Sequence, residues 1–241
     1  MLLDIAGKPL ILHTLERAKK ARTVTRAIVA TDDERILRAV EENGGEAVMT
    51  SPDHRSGSDR IAEIAARLPE GAIIVNVQGD EPLISPDTID AAVQALLDDP
   101  RADMATTCEP VTGGTAELLN GNVVKVVTGD AGYAVYFSRS LVPFPREAAL
   151  RHGGDPGRAV DEEPDMASLF RKHTGLYVFR REYLLKFTRM PQTRLEQVEM
   201  LEQLRALENG ARIRVVEAPR GSIGVDTAED LERVRLAVKR G

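Results

Sequence analysis

A doubly wound, mostly parallel α/β sheet is the fold this sequence predicts, and three observations carry the prediction. Helical and extended patterns alternate through the first half of the chain, which is the rhythm of βα units. Ile73, Ile74, Val75 and Val77 form a nearly continuous β-branched run, as in a strand buried on both faces. A length of 241 residues with 42% hydrophobic residues suffices for one large core, so residues 1–241 are read as a single domain.

Taken in order, Pro9 to Ala21 places Leu10, Leu12, Leu15 and Ala18 at helical spacing, with Pro9 suited to a first turn. Arg26 to Thr31 is extended, Asp33 to Asn43 is a helix stopped by Gly44-Gly45, and Glu46 to Met49 is a short strand. A polar loop, Ser51 to Arg60, leads into a helix over Asp59 to Leu68. The central strand Ile73–Val77 ends abruptly in Gln78-Gly79-Asp80-Glu81-Pro82; a helix over Asp87 to Leu97 and a strand over Asp103 to Cys108 follow. Asn122 to Thr128 and Tyr133 to Ser138, with Gly129 and Gly132 between them, predict a β-hairpin. Arg146 to Asp165 is polar, rich in charge, Gly and Pro, and without a periodic pattern; it reads as an arm that makes dimer contacts. His173 to Phe179 is a strand, Arg194 to Asn209 one long helix ending at Gly210, Ile213 to Val216 a strand, and Ala228 to Val238 the last helix.

Charge and composition narrow the function. A net charge of −6 argues against general binding to nucleic acid or membrane surfaces, while anionic substrates remain open through a few placed Arg and Lys. The single cysteine, Cys108, excludes an intrachain disulfide and fits a packed side chain in a reducing compartment. The N-terminal stretch is interrupted by Asp4, Lys8 and Pro9, and no segment has membrane-spanning length, so the expected location is the cytoplasm.

The chemistry concentrates at strand ends. In open α/β sheets ligands bind beyond the C-terminal ends of the strands, which is where Asp80 sits, with Gln78 beside it and Gly79 allowing close backbone approach. Asp226 lies between an apolar strand and a helix; it is either an N-cap or a second carboxylate facing the same cleft. Two such carboxylates would suit Mg²⁺ held against phosphate oxygens. His54, Ser56, Gly57 and Arg60 form a polar loop opening a helix, a geometry suited to phosphate or base contacts. Glu196, Glu199 and Gln203 fall at i, i+3 and i+7 and share a face of the long helix, which is a solvated face or one wall of a pocket. His173 and Tyr177 point the same way from one strand, either into a pocket or as a surface His and a core Tyr.

Eight strings in order give the pattern a family. They are IVATDD (28–33), DHRSGSDR (53–60), VNVQGDEPLI (75–84), NVVKVV (122–127), VYFSR (135–139), HTGLYVFR (173–180), LEQVEMLEQLR (195–205) and GVDTAEDLERVR (224–235). The chain resembles the CMP-Kdo synthetases, the 3-deoxy-manno-octulosonate cytidylyltransferases, almost end to end. The resemblance implies a nucleotidyltransferase fold with the hairpin and arm, 129–180, serving sugar binding and homodimer contact. It implies transfer of CMP from CTP to the sugar acid Kdo, with release of pyrophosphate, in lipopolysaccharide synthesis. Catalytic roles would fall to Asp80, Asp226 and Gln78, with Mg²⁺ on Asp80 and Asp226. His54, Ser56, Gly57, Arg60 and Asp80 would meet the nucleotide. Gln78, Arg139, His173, Tyr177, Glu196, Glu199 and Gln203 would form the sugar pocket, with Arg139 facing the sugar carboxylate.

One departure bears on activity. The family opens with a strand and a phosphate-binding loop that supplies an Arg and a Lys for the triphosphate, and this chain starts where that motif ends; Lys8 matches a second Gly-Lys-Pro and does not inherit the lysine's role. Two other readings are therefore weighed: a non-catalytic relative that binds the sugar or a partner, and a cytidylyltransferase for a related nonulosonic acid. In a doubly wound sheet the first strand is central. Without it, the strands at Arg26–Thr31 and Ile73–Val77 are expected to face a gap, making the chain as numbered unstable or prone to aggregate.

Overall fold

The computed structural model describes residues 1–225 and 227–240. A tight hairpin, β1 (Asp4–Ile5) with β2 (Lys8–Pro9), turns through Ala6 and Gly7 at φ 53° and 81° and delivers the chain into α1 (Leu10–Lys19). β3 (Val29–Thr31), α2 (Glu34–Glu42) and β4 (Ala47–Met49) form a unit whose two strands pair in parallel. Asp33 caps α2 by accepting from Arg35 N at 2.8 Å, and Gly44 ends it at φ 71°. α3 (Gly57–Ala65) begins two residues earlier than its pattern predicts, because the Ser56 hydroxyl accepts from Asp59 N. Then come β5 (Ile73–Asn76), α4 (Pro86–Asp98) and β6 (Met104–Pro110), as expected.

α5 (Gly114–Leu119) precedes the predicted hairpin, β7 (Lys125–Thr128) with β8 (Ala134–Ser138). The arm is not a patternless loop. It holds α6 (Arg146–Arg151), α7 (Pro156–Glu162) and α8 (Pro164–Ala167), and shares with α5 a small core of Val111, Leu118, Val160 and Phe170. Helices this short show no repeating apolar stripe, and Pro156 and Pro164 start helices here rather than breaking them. β9 (Arg171–Arg180) leads into α9 (Arg181–Phe187), which the sequence reading missed.

The predicted long helix is two: α10 (Arg194–Glu199) and α11 (Glu202–Glu208), broken at Met200, which adopts φ 54°, ψ 48°. The break turns Leu201 inward beside Leu204 in the core while Glu199 reaches out to β8, at roughly 1–2 kcal/mol for a non-glycine residue in that conformation. Glu196, Glu199 and Gln203 therefore do not share a face. β10 (Ile213–Glu217) and α12 (Ala228–Arg240) complete the chain.

The main sheet runs β10-β6-β9, with β10 and β6 parallel. β9 is antiparallel to both neighbours, so β5, β6 and β10 all point the same way. The far edge of β9 is divided: β5 takes its C-terminal part, up to Asn76 opposite Tyr177, and β7 takes its beginning, Lys125 opposite Lys172. Leu176 and Val178 pack against Ile89 and Leu96 on one face, while Tyr177 and Phe179 join Phe187 and Leu204 on the other, the period-two alternation of a strand buried on both sides.

The expected gap is present. Among the described residues β3 pairs with β4 and β5 with β9, and their remaining edges face each other across a channel of about 440 Å³. α1 contributes Ile11 and Leu15 to its lining and α3 contributes Arg60 and Ile61; Asn76 Nδ2, on the edge of β5, is buried without a hydrogen-bond partner. Among the described residues no helix is long and apolar enough to cross a membrane.

Candidate active site

The divided edge of β9 makes the site. On that edge, among the described residues, no strand covers Thr174–Leu176 between the end of β5 and the start of β7, and the chain leaving β5 carries Gln78 into that space, its Cγ 3.5 Å from where a Gly175 Cβ would stand. A cavity of about 720 Å³ opens there, lined by Gln78, Arg139, His173, Tyr177 and Gln203 of the predicted sugar residues. Gln78 also lines the channel beside β3, together with Gly57 and Arg60 of the predicted nucleotide residues. Gln78 is thus the junction between two compartments, one at the opening of α3 and one at the fork of β9. Gly79 does permit a close approach, but to the N-terminus: a Cβ there would stand 2.8 Å from Met1 Sδ, and its carbonyl accepts from the Thr14 hydroxyl at 2.9 Å.

Arg60 donates to Thr50 Oγ1 at 2.7 Å and to Asp32 Oδ2 at 2.8 Å, which aligns it along the channel wall. His54 is committed to Glu63 at 2.7 Å and Ser56 to capping α3, and neither is among the described residues lining the two cavities. Asp80 follows Gln78 and Gly79; its carbonyl accepts from Val225 N at 2.9 Å, so the Asp80 loop lies against the chain approaching 226. Asp226 itself lies outside the described residues. Lys8 is paired with Glu16 at 2.6 Å on the surface.

His173 is half-buried by its exposed surface, and desolvation by the protein packed around it holds its imidazole down at about 3. Thr106 Oγ1 stands 2.7 Å from Leu176 O and 2.8 Å from His173 Nε2. A carbonyl can only accept, so the hydroxyl proton goes to Leu176 and Nε2 carries the imidazole proton, leaving Nδ1 as an acceptor. A neutral histidine with a fixed tautomer suits recognition of sugar hydroxyls. A folded value below the unfolded 6.5 means that the unfolded chain protonates first; stability from this group is complete above pH 6.5 and is lost as pH falls toward 3. Between pH 6.5 and 5 the loss should be about 2 kcal/mol. Urea unfolding of the parent and of His173→Gln at the two pH values measures it, and a variant as acid-sensitive as the parent refutes it.

Arg139 reaches the cavity with three donors spent on backbone: Nε to Glu199 O at 2.7 Å, Nη1 to Gly121 O at 2.9 Å and Nη2 to Met200 O at 3.4 Å. A guanidinium has five N–H groups, so two remain for a ligand. Glu199 accepts from Ser138 Oγ at 2.6 Å and from Arg139 N at 2.9 Å, acting as a brace behind the wall. Glu196 is not in the cavity: it is buried in an ion pair with Arg205, at 2.5 and 2.8 Å, and caps Thr193 N.

Glu202 is the residue that sequence reasoning missed most directly. It lines the cavity, burial raises its carboxyl, and it accepts from the Ser58 hydroxyl at 2.6 Å. That bond ties the first turn of α3 to the sugar-side wall. The sequence reading singled out Glu196, Glu199 and Gln203 on one continuous helix and gave Glu202 no role; the break at Met200 sets Glu202 at the start of α11, against the cavity. Lys172 also lines the cavity, paired with Glu117 at 2.9 Å and Glu109 at 3.4 Å.

For a metal, the donors present are few and hard. Among the described residues no cluster of three or more His, Cys, Asp or Glu could hold one. Mg²⁺ needs less, since one or two carboxylates suffice when phosphate oxygens and water supply the rest; a strand-end carboxylate such as Asp80 fits that demand.

The cytidylyltransferase family pattern matches residues 1–213. The chain is 52% identical to the 3-deoxy-manno-octulosonate cytidylyltransferase of Geobacter sulfurreducens, over 99% of this chain and 92% of that one. It is 50% identical to the Trichlorobacter lovleyi enzyme of the same name, over 100% and 92%. A solved CMP:2-keto-3-deoxy-manno-octonic acid synthetase complexed with CTP superposes with a TM-score of 0.86 at 39% identity, covering 99% of this chain and 91% of that one. A 4-diphosphocytidyl-2C-methyl-D-erythritol synthase from Anaerococcus prevotii, TM-score 0.59 at 14% identity, shares the fold.

Proposed function

The chain belongs to the cytidylyltransferase family, and from that premise we infer that it transfers CMP from CTP to Kdo, releasing pyrophosphate, in lipopolysaccharide biosynthesis. The observation that supports this reading best is the polar cavity beside Gln78, which offers spare guanidinium donors for a sugar acid and lies next to Gly57 and Arg60 at the opening of α3. The anomeric hydroxyl of the sugar would attack the α-phosphorus of CTP. A new P–O bond forms, the bond to pyrophosphate breaks with its electron pair, and the hydroxyl proton is lost. Gln78 and Tyr177 would orient the sugar, Arg139 would take its carboxylate, and Gly57 and Arg60 would lie by the nucleotide. Asp80, with Asp226, would hold a divalent metal, Mg²⁺, which when bound offsets negative charge on the phosphates.

Pyrophosphate release measured with CTP and Kdo together, and with each omitted, tests the reading. Release that needs both supports it; release with a nonulosonic acid but not with Kdo, or none with any sugar acid, overturns it. CTP and the single reduced cysteine suit a cytoplasmic enzyme.

We further propose that the arm is a homodimer contact. Leu119, Phe144, Leu150 and Leu169 around it are each more than half exposed, an unusual cost for large apolar side chains. In sedimentation at tens of micromolar the parent should run as a dimer, and Phe144→Asp combined with Leu150→Asp as a monomer. A monomeric parent refutes this.

A further inference from the structure

Lys125 is a lysine with no exposed surface at all. Its ammonium has three N–H donors, and three backbone carbonyls receive them: Asn120 O at 3.2 Å, Val123 O at 2.6 Å and Arg139 O at 2.5 Å. Two of these belong to the turn before β7 and the third to the residue after β8, so one side chain clamps both segments from beneath. Arg139 closes the same ring from above through Gly121 O. The turn is also fixed from within, since Asn122 N donates to Asn120 Oδ1 at 2.9 Å. Asn122, Val123 and Arg139 all face the 720 Å³ cavity. A buried ammonium costs several kcal/mol in desolvation, and an apolar residue of similar volume would be the cheaper filling for a strand end. Burial does lower the Lys125 pKa, while Glu199 pulls it back up. Arg139, like the burial, pushes the Lys125 pKa down, and Glu199 is the carboxylate that opposes them.

We propose that Lys125 is a positioning residue for the sugar-acid subsite, holding the 120–123 turn and Arg139 in the arrangement that receives the substrate's carboxylate. The inference rests on the function proposed above. Replacing Lys125 with Met keeps the length of the stem and removes the clamp. The KM for Kdo should rise at least about tenfold while the KM for CTP stays within about twofold, because the nucleotide compartment lies beyond Gln78. A variant that only melts earlier, with both KM values unchanged or moved equally, overturns the proposal. Should Lys125→Met fail to fold, Asn120→Ala decides: its side chain is exposed, it loosens the same turn, and it should raise the KM for Kdo severalfold without moving that for CTP. Unchanged values there overturn the proposal equally. A parent that shows no Kdo-dependent pyrophosphate release overturns the functional reading and this inference with it; an active parent with an indifferent Lys125→Met variant overturns the inference alone.

Discussion

Asp80→Asn should fold like the parent and lose about 100-fold or more of its pyrophosphate release. The backbone around Asp80 is held by bonds that the substitution leaves in place: Val225 N to Asp80 O at 2.9 Å, Glu81 N to Gln78 O at 3.2 Å and Ile84 N to Glu81 O at 3.1 Å. Asparagine nearly matches the size of aspartate, so the change is one of charge at the end of β5. Asp80 acts through the metal it would hold, and losing one such source of transition-state charge stabilisation typically costs about 10²–10³ in rate. Melting temperatures and steady-state rates at saturating CTP and Kdo make the comparison. A variant within about threefold of the parent removes Asp80 from the metal site.

Glu196→Ala should lose about 3–5 kcal/mol of stability, the usual result of leaving one partner of a buried ion pair uncompensated. Both side chains are more than nine-tenths buried, and Arg205 would keep Met190 O at 3.3 Å, its position over the Phe187 ring and the more distant carboxylates of Glu202 and Asp59, with no hydrogen-bonded carboxylate among the described residues. The start of α10 suffers as well, since Glu196 Oε2 accepts from Thr193 N at 3.2 Å, the carboxylate half of a capping box. For a chain of this length the loss corresponds to about 6–20 °C in melting temperature. Glu196→Gln, which keeps the volume, should leave the KM for Kdo within about twofold at a temperature where it is folded. A large rise in that KM would return Glu196 to the sugar pocket, against its placement here.

The parts of this fold legible in the sequence are those where one physical signal dominates. β5 announces itself by β-branched residues that need burial on both sides, and the β7–β8 hairpin by its two strand runs around Gly129 and Gly132. The gap between β3 and β5 followed from sheet order. Misreadings cluster where tertiary contacts override a local pattern. The sequence LEQVEMLEQLRALEN is periodic throughout, and nothing in it marks Met200 as the residue that leaves the helix; the pull of Leu201 into the core and of Glu199 toward Ser138 does so. Glu196, expected in the sugar pocket, is then sealed in an ion pair, while Glu202, given no role in the sequence reading, lines the cavity. Lys125 in NVVKVV reads as a charge that should point to water, and only the carbonyls gathered beneath the hairpin explain why it points inward. Gln78, His173 and Tyr177, by contrast, do line one cavity, because strand ends and strand alternation are local geometry.

β9 pairs with β6 along one edge and with both β5 and β7 along the other, yet it is made late. On a translating ribosome roughly 95 residues separate the end of β5 from the start of β9, a wait of about 5–20 s at ordinary elongation rates. Throughout that interval β5 and β6 exist without the strand that joins them, and the apolar faces meant for Tyr177 and Phe179 have nothing to cover them. Closure of the sheet is therefore a post-midpoint event in synthesis, and nascent chains arrested before Arg171 are the species that a ribosome-associated holdase would be asked to shield.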